Sequence, residues 1–179
     1  VTNDHGGSSV LKNLFEDILR LARSHLLYHD GTSFKVVDDG MRYANGVAVS
    51  RDLSKVYVAA TTDRELRIYN RRPDGALERD RVLDLGTGGD NIEVDAQGNL
   101  WIGAHPKLLT FMLHAGDASK HAPSQVLKLS PDGAGGFRSE EVLMSAGADL
   151  SASSVGARVG NRLLVGGVFD SRFLDCRMQ

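Results

Sequence analysis

The sequence predicts an all-β fold of propeller type, and three observations carry that reading. Short segments of alternating apolar and polar residues follow one another along most of the chain. Twenty glycines against four prolines suit many strands joined by tight turns. Above all, a strand–turn–strand unit recurs in "NGVAVSRDLSKVYVAAT", "NIEVDAQGNLWIGAH" and "SVGARVGNRLLVGGV". Each copy opens on a polar residue, alternates, turns, and ends in small residues. The copies start at Asn45, Asn91 and Ser154, and Asn3 fits the same slot further back. A period of about 40–50 residues with four strands per unit marks a propeller blade. About four blades are therefore expected. No low-complexity linker divides the chain, so residues 1–179 read as a single domain.

The elements follow in order. From "SSVLKNLFEDILRLAR" the apolar residues Val10, Leu11, Leu14, Phe15, Ile18, Leu21 and Ala22 recur every three or four positions. Lys12, Asn13, Glu16, Asp17, Arg20 and Arg23 fall on the opposite side, so the spacing predicts one amphipathic helix over 9–23. Ser8 or Ser9 can cap it by accepting a backbone N–H. "HLLYHDGTSFKVVDDG" reads as a hairpin turning at Asp30-Gly31. Strands then follow in "GVAVS", "KVYVAAT", "LRIYNRR", "RVLDL", "IEVDAQGNLWIGA", "VLKLSPDGAGGF" and "RLLVGGVF". Asp74-Gly75, Gln97-Gly98 and Asp132-Gly133 supply turn chemistry.

Composition excludes several function classes. The chain has 179 residues, 41% hydrophobic and 25% charged, with a net charge of −2. That balance gives no footprint for nucleic acid or an anionic membrane. No apolar run approaches the roughly 18 residues of a membrane-spanning helix. The single cysteine, Cys176, can form no internal disulfide and reads as a buried thiol.

If Asn3, Asn45 and Asn91 open the innermost strands of successive blades, their side chains converge on the propeller axis, and Asp90 stands beside Asn91. Three amide oxygens and a carboxylate are hard ligands with no sulfur or close imidazole pair among them, which suits calcium rather than zinc or copper. Other motifs carry less. "SVLK" has serine-acylase spacing but lacks its companion motifs. His25 and His29 fall in the hairpin without a third ligand, and His114 and His121 flank a polar loop and read as solvated. "GTGGD" precedes a strand rather than a helix, which argues against phosphate binding.

"TNDH", "YANGVAVSRD", "DNIEVDAQGNLWIGAHP" and "RLLVGGVF" followed by "LDC" together resemble the paraoxonase/arylesterase family of calcium-dependent, six-bladed propeller hydrolases. The resemblance runs from residue 1 to about 178 and is least distinctive over 108–150. It implies that Asn3, Asn45, Asp90 and Asn91 hold a catalytic calcium and Asp4 a second, structural one. It implies that His105 lines the substrate pocket. The helix at 9–23 would lie over the active-site mouth, where it can meet lipid or another hydrophobic surface. The chain departs from the family in lacking two preceding blades, their Glu–Asp pair, a histidine pair proposed as general base, and the cysteine partner of Cys176. It is therefore expected to be the C-terminal part of a longer protein, four blades of six, inactive alone and with its catalytic base unassigned. The implied substrates are small lactones, aryl esters or related esters, and the expected compartment is outside the cytoplasm, periplasmic or extracellular. A gluconolactonase- or strictosidine synthase-like enzyme and a non-catalytic propeller scaffold are the alternatives.

Overall fold

The computed structural model describes residues 1–7, 9–19 and 21–178, with backbone alone at 10, 11, 14 and 17. Its strands form four antiparallel sheets, each a simple meander. The first holds β1 (Thr2–Asn3), β2 (Ser24–His29) and β3 (Phe34–Met41). The second holds β4 (Ala44–Val49), β5 (Lys55–Ala60), β6 (Glu65–Arg71) and β7 (Leu77–Asp84). The third holds β8 (Gly88–Val94), β9 (Leu100–His105), β10 (Ser124–Pro131) and β11 (Phe137–Ser145). The fourth holds β12 (Ser153–Val159), β13 (Arg162–Gly167) and β14 (Phe173–Arg177). Helix α1 (Val10–Ile18) lies between β1 and β2, and α2 (Leu108–Gly116) between β9 and β10.

Three apolar cores join the four sheets in sequence. Leu26 and Met41 of the first sheet meet Val56, Val58 and Tyr69 of the second. Tyr57, Leu66 and Ile68 on the other face of the second meet Ile92, Leu100, Ile102, Leu127 and Leu129 of the third. Trp101 and Val126 meet Leu163 and Val165 of the fourth, with Leu150 between them. Burial on both faces explains why "KVYVAA" is almost continuously apolar rather than strictly alternating. This is the stacking of propeller blades, as the repeat predicted.

The turns hold as expected. The Asp30 carboxylate accepts from the Thr32 and Ser33 N–H groups, each at 2.9 Å, closing the β2–β3 hairpin. Gly75, Gly98 and Gly133 sit at φ +84, +79 and +78, the left-handed region that favours glycine.

The helices differ from expectation. Helix α1 ends at Ile18, short of the predicted 23, as the Leu21 N–H reaches back to the Glu16 carbonyl at 2.8 Å. The Ser9 carbonyl accepts from the Asn13 N–H at 2.9 Å, which puts Ser9 at the helix start. Ser8 and Arg20 lie outside the described residues, as do the side chains of Val10, Leu11, Leu14 and Asp17. Of the predicted apolar face, Phe15 and Ile18 are 55% and 61% exposed, whereas Glu16 from the polar set is only 6% exposed. The cause is local. Loop residue Gly6 turns its N–H onto the Glu16 carboxylate at 2.9 Å, and Arg23 approaches the other oxygen at 3.4 Å. Helix α2 is unpredicted because "LLTFMLHAG" has no polar side and so no helical contrast. Nor is His114 solvated. It is fully buried in α2, with Nδ1 donating to the Lys120 carbonyl at 2.7 Å. Cys176 is a half-buried free thiol on β14, packed against the third core.

Asp95, at the β8–β9 turn, ties the third sheet together. Oδ1 accepts from the Gln97 and Asn99 N–H groups, and Oδ2 from the Asn99 amide at 2.7 Å and the Trp101 indole at 2.9 Å. Partial burial pushes its pKa up, but the bonds from Asn99, Trp101 and Gln97 outweigh it and hold the carboxyl below its ordinary 3.8. A lowered folded pKa means stability that is present above the ordinary value and lost as pH falls through the folded one. Asp95→Asn should therefore cost about 1–3 kcal/mol at pH 7, read by urea unfolding. The gap from the parent should shrink as pH drops below 3.8.

Candidate functional site

Three sheets carry the same irregularity at the same place. Pairing of β4 with β5 jumps from Ala44↔Ala60 to Val47↔Val58, so Asn45 and Gly46 form a bulge. Pairing of β8 with β9 jumps from Gly89↔Ala104 to Ile92↔Ile102 around Asp90 and Asn91. In β12 the break falls at Ser154, between Ser153↔Gly167 and Val155↔Gly166. A bulge frees a residue from the ladder and re-aims its side chain, a device found beside active sites. The polar residues that mark the sequence repeat are thus the bulged ones.

The bulges are brought together by close backbone approach. A Cβ on Gly46 would lie 2.2 Å from the Asp90 carbonyl oxygen and 2.9 Å from the Asn91 Cα. A Cβ on Gly103 would lie 2.4 Å from the Ser154 carbonyl carbon. Only glycine fits at either contact.

Side chains then link the bulges. The Asn91 amide nitrogen donates to the Ser154 hydroxyl at 2.8 Å, the Ser154 carbonyl at 3.3 Å and Asp90 Oδ1 at 3.1 Å. All three bond as acceptors, so the atom facing them is Nδ2, and Oδ1 points elsewhere. Asn45 Nδ2 meets the Thr61 hydroxyl at 3.3 Å. Asp90 is 5% exposed, and its Oδ2 accepts from His105 Nε2 at 3.1 Å. Because a carboxylate only accepts, Nε2 carries the proton. His105 Nδ1 is buried and without a hydrogen-bond partner among the described residues. The ring is 1% exposed and stacks on Phe111 of α2, centroids 3.7 Å apart and planes 10° from parallel.

Asp90, Asn91 and His105 are in direct contact, and Asn45 adjoins them through Gly46. Asn3 lies in the two-residue strand β1, paired with His25 of β2. Its neighbour Thr2 reaches the site by donating to the Asn45 carbonyl. Asp4 is exposed, with Oδ2 at 3.4 Å from His5 Nδ1, and its carbonyl accepts from the Ser24 hydroxyl. Thr61, Ser154 and Phe111 were not singled out as site residues. Superposing the two repeats on their bulges would have shown Thr61, since it follows β5 as His105 ends β9.

Among the described residues no three His, Cys, Asp or Glu side chains gather as a metal site. Any ion here would be held largely by amide oxygens around one carboxylate. With both amide nitrogens turned onto protein acceptors, that hard oxygen set fits calcium.

A family model described as Arylesterase matches residues 1–178. Rat serum paraoxonase/arylesterase 2 is 31% identical over 183 residues, covering 99% of this chain and 49% of the relative. Human serum paraoxonase/lactonase 3 is 31% identical over 169 residues, covering 94% and 47%. The chain thus spans about half the length of the curated relatives it matches. Among solved structures, the calcium-binding protein regucalcin from Agrobacterium tumefaciens aligns with a TM-score of 0.54 at 15% identity, over 84% of this chain and 48% of that one. At that identity the likeness shows the shared propeller-type fold.

The glycine contact makes a direct prediction. Gly46→Ala should force β4 away from β8 and lower stability by about 1–3 kcal/mol in thermal unfolding. Gly116→Ala, where a Cβ meets nothing within 4 Å, should leave the melting temperature unchanged.

Proposed function

Because this chain belongs to the arylesterase family, we propose that its protein is a calcium-dependent hydrolase of lactones, aryl esters or related esters. The observation that carries the proposal is the linked set of bulges, in which buried Asp90 bonds both Asn91 and His105 while the amides of Asn45 and Asn91 turn their nitrogens away. Asn3, Asn45, Asp90 and Asn91 would hold the catalytic calcium, and Asp4 a second, structural one. Bound there, calcium supplies a Lewis acid that polarises the substrate carbonyl and stabilises the oxyanion. Asp90 fixes the His105 ring, and in the neutral imidazole the unpaired Nδ1 would accept from a hydroxyl of substrate or water. Helix α1 would cover the mouth of the site. Its exposed Phe15 and Ile18, with Leu19 just beyond its end, would offer an apolar surface to lipid.

Chelation should abolish hydrolysis of phenyl acetate and of a γ-lactone, and calcium but not zinc should restore it. Restoration by zinc alone would sink the oxygen-ligand reading. Asn45→Ala and Asn91→Ala should each lower turnover by about 10²–10³-fold with the circular dichroism spectrum preserved; full activity in both would make them ordinary bulge formers. Calcium binding without any hydrolysis would identify a scaffold instead. Residues 1–179 expressed alone should bind calcium weakly by calorimetry and show no turnover. Asp90 is the one carboxylate of the proposed catalytic set, and affinity follows ligand charge.

A further inference from the structure

The Thr61 hydroxyl occupies a position with a single chemical solution. It is buried, just past the end of β5, and lies 2.6 Å from the Gly89 carbonyl of the next sheet and 3.3 Å from the Asn45 amide. A hydroxyl has one proton to give, and a carbonyl can only accept. The proton therefore goes to Gly89, and Thr61 faces Asn45 as an acceptor. The Asn45 atom that meets it must be Nδ2. Without this bond the amide is free to turn, and an N–H₂ group pointed at a cation is repulsive. The Ser154 hydroxyl plays the same part for Asn91 at 2.8 Å, aided by the Ser154 carbonyl and Asp90. In each case the hydroxyl comes from outside the strand that carries the amide.

We propose that Thr61 is a positioning residue that locks the Asn45 side chain with its oxygen toward the cation, with Ser154 performing the same task for Asn91. The proposal rests on the reading of Asn45 and Asn91 as calcium ligands. Thr61 touches neither substrate nor ion; it acts through the rotamer and orientation of Asn45. Its place between the Gly89 carbonyl and Asn45 also couples the amide's orientation to the contact between the second and third sheets. Groups that orient a metal ligand in this way are typically worth about 10–100-fold in affinity.

The test uses the purified protein, calcium calorimetry and europium luminescence lifetimes, which count the waters on the bound ion. Thr61→Val keeps shape and removes the hydroxyl. It should weaken calcium about tenfold or more and add a europium-bound water, while unfolding in chelator at the parent's temperature. Thr61→Ser should bind within about twofold of the parent. Parent-like binding by Thr61→Val beside weak binding by Asn45→Ala would overturn the proposal and reduce Thr61 to packing. Equal losses in Thr61→Val and Thr61→Ser would also overturn it, because the hydroxyl would not be the cause. Parent-like binding by Asn45→Ala would show that the ligand reading itself fails, and the proposal with it. If Thr61→Val does not fold, Ser154→Ala decides: weaker calcium and an added water support positioning, and parent-like binding refutes it.

Discussion

Sheets of this kind can meet at one end only if something there is small enough, and in this chain the backbone itself is the contact. Gly46 lies against the Asp90–Asn91 backbone and Gly103 against Ser154. Each contact is closer than any side chain allows, so it fixes how near the first strands of neighbouring sheets can come. The cores taper to match. Ala44, Ala59, Ala60 and Ala104 fill the ends of the strands that lead into the bulges, while Tyr57, Tyr69 and Trp101 pack further along their strands. A wedge of small-to-large residues turns a stack of twisted sheets into an arc about an axis, which is the geometry of a propeller.

That constraint also decides where polar chemistry can sit. Strands pressed together without side chains between them leave backbone groups that must find partners, and polar side chains in and beside the bulges supply them. Thr61 satisfies the Gly89 carbonyl, Asn91 the Ser154 carbonyl, and Thr2 the Asn45 carbonyl. Every one of these bonds crosses from one sheet to the next. The residues proposed to handle the cation are therefore also part of the joint between the sheets. A change at the site is therefore felt in the fold.

Much of this was legible in the sequence. Strand alternation, the Asp-Gly turns and the repeated polar opening are local patterns, and local patterns survive folding. Asn45, Asp90, Asn91 and His105 were marked by that repeat and by the family resemblance. What was not legible depends on partners far along the chain. Glu16 reads as a surface residue until the Gly6 N–H turns onto it. His114 reads as solvated until α2, which lacks a polar side, carries it inward onto the Lys120 carbonyl. The bulges were invisible because a two-residue break in pairing leaves no trace in hydropathy; only the register shows it.

The burial of Asp90 shows why the arrangement is chemically poised. A carboxylate taken out of water costs free energy unless donors replace its hydration. Here one oxygen takes the Asn91 amide and the other the His105 imidazole. Each oxygen thus keeps a protein donor in place of water. In a setting of low dielectric, the attraction of a carboxylate to a cation is strengthened. A lysine or arginine in place of His105 would have neutralised Asp90 and removed that attraction. With the amides held by hydroxyls from neighbouring segments, the bonds that join the sheets are the same bonds that would present Asp90 and the amide oxygens to a cation.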